Sequence, residues 1–345
     1  MINKFTNIKI PKYKLDYSIE KNKNIVQGSL TKNIKLPFSC RSGVCGTCKA
    51  KIIQGNVHAN NKINHVLTES DINNNIILMC QAEPVSDLLE LEMISPMPRQ
   101  IQSGKPREII SEILSVKQIT PEVIDISISV SKRFYFNLNQ LSYMEILIPG
   151  LEIKEKYYIS NFDKKNNQSN DGVINILVIK SKNLDVNEYL NKNLIAGEVI
   201  TLKGPYADNN FPNFLTKPTL LLTNHTNIIK TLIIVNQLLS SGCNFPIMLI
   251  SYFNDKKDIF LMEEMHKLQF LYKNFSYKIT LQNQDGSNTS RFLLGSISKV
   301  INKIFPDLSS HYIYINGDES FLIEIRKKII ELEAKEENIY TDLYN

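Results

Sequence analysis

Hydrophobic and polar positions along the chain fall into three successive patterns. From residue 211 to 345, apolar runs of strand length alternate with longer runs of helical period. TLLLT precedes IIKTLIIVNQLLSSG, PIMLISYF precedes IFLMEEMHKLQFLYKN, SYKITLQ precedes LLGSISKVINKIF, and HYIYING precedes ESFLIEIRKKIIELEAK. That βα alternation predicts an α/β domain with a parallel sheet covered by helices. Residues 108–210 read differently. EIISEILSVKQI, EVIDISISV, SYMEILIPG, KYYISNF, GVINILVIK and VITLKGPY are short β-like runs with turn signals between them. They predict an antiparallel β-barrel or sandwich. One helical insert, NLDVNEYLNKNLIAG, interrupts them, with Gly197 as its expected stop. Residues 1–94 form a first unit. IVQGSL and NIKLPF read as strand and turn pieces, KAKIIQGNVH as a strand that bends at Gly55, and DLLELEMI as a closing strand. SPMPRQIQSGKPR (95–107) has poor periodicity and reads as a linker. The chain is therefore expected to be multidomain.

Composition narrows the function. The 345 residues are 43% hydrophobic and 22% charged, as in an ordinary globular protein, with a mild net charge of +5. No arginine-rich stripe is interleaved with aromatics, which argues against nucleic-acid binding. No apolar run reaches the roughly 18 residues of a membrane span. The N-terminal MINKFTNIKIPKYK has no apolar signal-peptide core, so a cytoplasmic protein is expected. Asn, Ile and Lys are abundant throughout, a bias that by itself erodes Gly, Ala and Arg.

Four of the five cysteines lie within residues 40–80. CRSGVCGTC (40–48) gives C-x4-C-x2-C, and a fourth cysteine follows in LMCQAEP: the set is Cys40, Cys45, Cys48 and Cys80. This is the plant-type spacing for a [2Fe–2S] cluster. Gly43 and Gly46 let the backbone wrap a small inorganic core with φ above zero. A structural zinc site, the competing possibility, usually pairs two short Cys/His knuckles, whereas here three ligands share one motif and the fourth is single.

With these residues in view, the chain resembles the ferredoxin-fused reductases, in which a plant-type ferredoxin domain is joined to a ferredoxin–NADP reductase-like module. PFSCRSGVCGTCKAKIIQG and ILMCQAEP carry the resemblance most specifically. The family includes reductase components of aromatic-ring dioxygenases and monooxygenases, and CDP-6-deoxy-3,4-glucoseen reductase. The resemblance implies FAD in the barrel and NAD(P)H in the α/β domain. The family's Arg-x-Tyr-Ser flavin segment corresponds to EKYYISNFD. Matched on Ile159 and Ser160, Tyr157 stacks on the flavin and Glu155 replaces the Arg. Shifted by one residue, Lys156 stands for the Arg and Tyr158 for the Tyr. In either register a bidentate Arg is missing. The Gly-rich pyrophosphate turn corresponds to SKNLDVNEYL, which has no glycine, with Asn187 near an expected Ser or Thr. KGPYAD keeps Gly204 and Pro205 of the barrel's closing motif.

The nicotinamide loop corresponds to PTLLLTNHTNIIK. Thr226 and Ile228 match, but Asn224, His225 and Asn227 stand at the three glycines and Lys230 at the Pro. Glycines there let the backbone approach the dinucleotide without a Cβ in the way. In YIYINGDES, Asn316 and Asp318 replace the Cys and Pro of the last motif, and Gly317 is kept. Tyr340 and Tyr344 in the tail are candidates to lie over a flavin edge or to pack as a helix tail. Two functions follow. One is an enzyme passing electrons from NAD(P)H through FAD and the cluster to a partner oxygenase or dehydratase. The other is a ferredoxin-type carrier or assembly subunit whose reductase module serves as a scaffold.

Overall fold

In the computed structural model, residues 4–32, 34–59, 66–95, 97, 106–130, 142–151, 155–160, 172–181, 183–207, 214, 216–282 and 292–343 are described. The first unit has β1 (Phe5–Ile10), β2 (Leu15–Glu20), β3 (Lys49–Gln54), β4 (Val57–Ala59), β5 (Ile76–Leu78), β6 (Ala82–Pro84) and β7 (Leu88–Met93). Five of them form one sheet in the order β2–β1–β7–β3–β5, with only the central β1–β7 pair parallel. IVQGSL is not a strand piece. It forms helix α1 (Ile25–Thr31), which Asn24 caps by accepting from Gln27 N at 2.9 Å. The helix lies so close to the sheet that a Cβ on Gly28 would come within 2.7 Å of Ile19. Short helix α2 (Glu69–Asn73) starts with a capping box between Thr68 and Asp71.

The second unit has β8 (Arg107–Thr120), β9 (Val123–Ser129), β10 (Ser142–Ile146), β11 (Tyr157–Tyr158), β12 (Val173–Ile179) and β13 (Val199–Ala207). Their order is β11–β10–β13–β8–β9–β12. Ile159 bridges to Ile176, and Ser160 N donates to Asn175 O at 2.8 Å, so the two edges meet and the sheet closes as a barrel. The helical insert, α3, spans Leu184–Asn193 and ends before Gly197. Gly197, at φ +90°, instead returns the chain to β8, its N–H donating to Ile113 O at 2.8 Å. Of the proposed linker, Ser95 is buried on the first unit and Arg107 opens β8; most of the rest lies outside the described residues.

The third unit has β14 (Thr219–Asn224), β15 (Ile247–Phe253), β16 (Phe275–Leu281), β17 (Leu293–Leu294), β18 (Tyr312–Gly317) and β19 (Ile339–Leu343). All are parallel, in the order β17–β16–β15–β14–β18–β19. Helices α4 (Ile228–Ser240), α5 (Met262–Leu271), α6 (Ile297–Ile304) and α7 (Glu319–Glu331) cover it. Leu220, Leu222, Ile313, Ile315 and Ile339 pack with α6 and α7, while Leu221, Leu249, Tyr314 and Tyr340 pack with α4 and α5. IYTDL (Ile339–Leu343) is thus a sixth strand, not a helix tail. Tyr340 is fully buried beside Tyr314, ring centroids 5.8 Å apart; Tyr344 lies outside the described residues. Among the described residues, no helix is long and apolar enough to cross a membrane.

Candidate functional site

The four clustered cysteines converge. The Cys48 thiol donates a hydrogen bond to Cys80 Sγ at 3.3 Å, and the free thiols of Cys40 and Cys45 form a second hydrogen-bonded pair. The thiol of Cys45 and the backbone N–H groups of Cys45 and Ser42 face Cys40, holding its thiol down to about 4 against the opposing effect of burial. Cys48 is pushed up, first by its bond to Cys80 and then by burial. Among the described residues, no three His, Cys, Asp or Glu side chains surround a single ion. The four thiols lie as two pairs, an arrangement that fits the donor set of a [2Fe–2S] cluster. The loop's turns sit at Arg41, Gly43 and Gly46, all with positive φ, and Gln81 Nε2 ties Arg41 O at 2.8 Å. Cys243 is buried elsewhere, its thiol 3.7 Å from Phe214 O.

This loop is docked on the third unit. Thr341 Oγ1 donates to Cys45 O at 2.7 Å, and Thr47 Oγ1 donates to Thr341 O at 2.7 Å. Leu343 N donates to Ser39 Oγ at 2.7 Å, and Ser39 Oγ donates to Asp342 Oδ1 at 3.2 Å. Beside them, the buried Lys49 ammonium meets Asp71 at 3.3 Å and Glu336 at 3.4 Å, and Arg326 pairs with Glu336. None of Ser39, Thr47, Lys49, Arg326 or Asp342 stands out in the sequence. Only the closeness of Ser39, Thr47 and Lys49 to the cysteine motif is a local signal. Cys40 is half-buried, and Arg41 and Ser42 are exposed, so this side of the loop faces outward.

The adjacent tyrosines of β11 point opposite ways, as period-two geometry requires. Tyr157 enters the barrel core, and its hydroxyl donates to Glu155 Oε2 at 2.7 Å. Tyr158 enters the core shared between the barrel and α4. Tyr143 lies 5.9 Å from Tyr158 and stacks on Tyr206 at 5.1 Å, while the Lys156 ammonium sits 5.1 Å over Tyr143. Lys230, from the first turn of α4, lies 5.9 Å over Tyr158. The interdomain face is therefore aromatic and cationic. Tyr158, not Tyr157, lies on this face. Gly204 packs against Met144, where a Cβ would come within 2.6 Å of its sulfur; Pro205 is buried and Ser160 half-buried nearby. The helix end is less welcoming. Asn183 Oδ1 already accepts from Asp185 N and Val186 N of α3, and the Glu155 carboxylate accepts from Ser181 Oγ beside it. A pyrophosphate there would meet satisfied N–H groups and a negative charge.

The altered loop lies at the point where strand order reverses, between β14 and β18, the place where open α/β sheets bind ligands. Only His225 has positive φ there, at +46°; Asn224 and Asn227 have ordinary negative values. Asn224 Nδ2 donates to Asp318 Oδ2 at 2.7 Å, and Asn227 Nδ2 donates to Asn224 Oδ1 at 2.9 Å. Asn316 Nδ2 donates to Asn227 O at 3.0 Å and to Thr231 Oγ1 at 3.1 Å. Burial opposes ionisation of Asp318, but bonds from Ser320, Phe321 N and Asn224 hold its carboxyl below the usual range. The substitutions thus form one network that secures the loop. Two further features suit a polar ligand. The N-terminus of α4 has no side-chain cap, and Thr223 Oγ1, Ser251 Oγ and Asn227 Oδ1 are buried without a hydrogen-bond partner. Thr226 is half-buried at the mouth.

Comparison with known proteins agrees with the first unit and the overall architecture. Residues 11–85 match the family model of the 2Fe-2S iron-sulfur cluster binding domain. The chain is 19% identical over 327 residues to the phenol hydroxylase P5 protein of Acinetobacter pittii, covering 94% of this chain and 90% of that one. It is 23% identical over 270 residues to the toluate 1,2-dioxygenase electron transfer component of Pseudomonas putida, covering 76% of each. Among solved structures, the Amycolatopsis cytochrome P450 reductase GcoB superposes with a TM-score of 0.62 at 16% identity, over 98% of both chains. A ferredoxin reductase of carbazole 1,9a-dioxygenase gives 0.58 at 17% identity, over 99% of this chain and 98% of that one. At these identities the structures share the fold.

Proposed function

We propose that this chain, a [2Fe–2S] ferredoxin domain joined to a ferredoxin reductase-like module, is the electron-transfer component of an oxygenase-type system. The observation that carries it is the docking of the cluster loop on β19, beside α4 and the Tyr158 face. When bound, the flavin supplies the conversion of a two-electron hydride from NAD(P)H into single electrons, and the cluster supplies a one-electron store at about −400 mV. The chain's own residues provide position and shelter. Cys40, Cys45, Cys48 and Cys80 hold the irons. Tyr158, Tyr143 and Lys156 offer a flavin its aromatic and cationic wall. Thr226 and the uncapped start of α4 offer the dinucleotide its polar contacts. The exposed Arg41 side of the loop faces a partner oxygenase or dehydratase, and we place the protein in the cytoplasm, where its free thiols persist.

A second reading is favoured by the asparagine network and by Glu155: a ferredoxin-type carrier whose module is a docking scaffold. Flavin extraction from protein purified with added iron and FAD separates the two. About one flavin per chain supports the enzyme; none, with a full cluster spectrum, supports the carrier. Two variants refine the test. Glu155→Gln removes a carboxylate beside the start of α3 and is expected to raise flavin affinity roughly tenfold, about 1.4 kcal/mol, by fluorescence titration. His225→Gly removes the one loop side chain at positive φ, so the NADH KM of cluster reduction is expected to fall several-fold. An unchanged KM would mean that the nucleotide does not approach this loop.

A further inference from the structure

Parallel strands buried on both faces are normally apolar throughout. Here one inward position on the α4 side is polar in each of four adjacent strands, although β15 runs on to the buried Phe253. Ser251, Thr223, Asn316 and Asp342 are successive cross-strand partners in register. The row ends on Asp342, which is 9% exposed and is reached by three donors from three parts of the fold. Lys230 Nζ approaches from α4, Tyr314 OH donates from β18 at 3.1 Å, and Ser39 Oγ donates from the cluster loop at 3.2 Å. Ser39 immediately precedes Cys40. Lys230 is itself 7% exposed, and its ammonium lies over the Tyr158 ring.

We propose that Lys230 and Asp342 form an electrostatic strap that fixes the cluster loop against the Tyr158 face and sets the cluster's reduction potential. As positioning residues they neither ligate iron nor carry electrons. The proposal rests on the reading of Cys40, Cys45, Cys48 and Cys80 as cluster ligands, and for the Tyr158 face on its reading as a flavin wall. Its physics is charge balance in a buried place. The paired strap is neutral. Removing the cation leaves an anion one hydrogen bond from the loop, which disfavours the more negative, reduced cluster. Removing the anion leaves a buried cation, which favours it. Lys230 stands where the resembling loop has a Pro, so this charge arises from this chain's own sequence.

The test is a dithionite redox titration of the cluster in the full-length protein, with the EPR spectrum of the reduced state recorded alongside. Lys230→Met is expected to lower the midpoint potential, Asp342→Asn to raise it, and the double variant to return it close to the original value. Lys230→Arg keeps the pair and is expected to keep the potential. If Lys230→Met does not load a cluster, the Asp342→Asn and double variants decide, since neither leaves an uncompensated buried anion. A merely structural role moves both single variants in the same direction; that result, or no shift in either, overturns the strap. Dithionite needs neither flavin nor nucleotide. A cluster that dithionite reduces and NADH does not would sink the proposed function while leaving the strap standing.

Discussion

Replacing Cys48 with Ser is expected to abolish the iron–sulfur chromophore and reduce electron delivery to background, whereas Cys243→Ser leaves both intact. Cys48 is 2% exposed and 3.3 Å from Cys80. Cys48 and Cys80 would hold one iron of a bound cluster, and Cys40 and Cys45 the other. Serine is a harder and less acidic donor, and its loss cannot be covered from nearby, because the remaining cysteine is buried in the third unit against Phe214. Visible absorbance and iron content per chain measure the outcome. A zinc centre would leave the unaltered protein colourless, and a Cys48→Ser variant with a full spectrum would remove Cys48 from the ligand set.

Gly46→Val is expected to be the most damaging change outside the ligands. Gly46 has φ +73°, a region where a β-branched residue is a clear outlier. Left-handed backbone costs a side-chain-bearing residue about 1–2 kcal/mol. In addition, a Cβ there would stand 3.0 Å from Val66 Cγ1 and 3.1 Å from Arg326 Cζ. Arg326 is buried and paired with Glu336, so it has little room to yield; overpacking of this kind adds about 1–3 kcal/mol. The total, about 2–5 kcal/mol, falls on the contact between the cluster loop and the reductase-like module. The temperature at which the cluster's visible circular dichroism is lost is expected to drop by many degrees. Gly43→Ala is the control. Its nearest neighbour is the flexible Gln81 side chain at 3.1 Å, so the loss is smaller.

Much of this was legible in the sequence because local signals there are strong. The C-x4-C-x2-C spacing named the loop, and the change from period two to period 3.6 near residue 211 separated barrel from parallel sheet. IVQGSL misleads because its helix is short and is fixed by a cap at Asn24 and by packing on Ile19, neither of which shows as periodicity. IYTDLYN misleads because a five-residue strand after a long helix reads as a tail. The polar row is invisible for a deeper reason. Ser251, Thr223, Asn316 and Asp342 are far apart in the chain and meet only through strand register. The same holds for Tyr157 and Tyr158. Sequence presents two equivalent residues, and only the pleat of β11 decides which faces the barrel core and which faces Lys230.

The most direct measurement is anaerobic addition of NADH and NADPH, in turn, to protein reconstituted with iron, sulfide and FAD, followed by low-temperature EPR. A reductase component predicts that at least one nucleotide produces the signal of a reduced [2Fe–2S] cluster, with intensity approaching that given by dithionite. A full signal with dithionite and none with either nucleotide would contradict it.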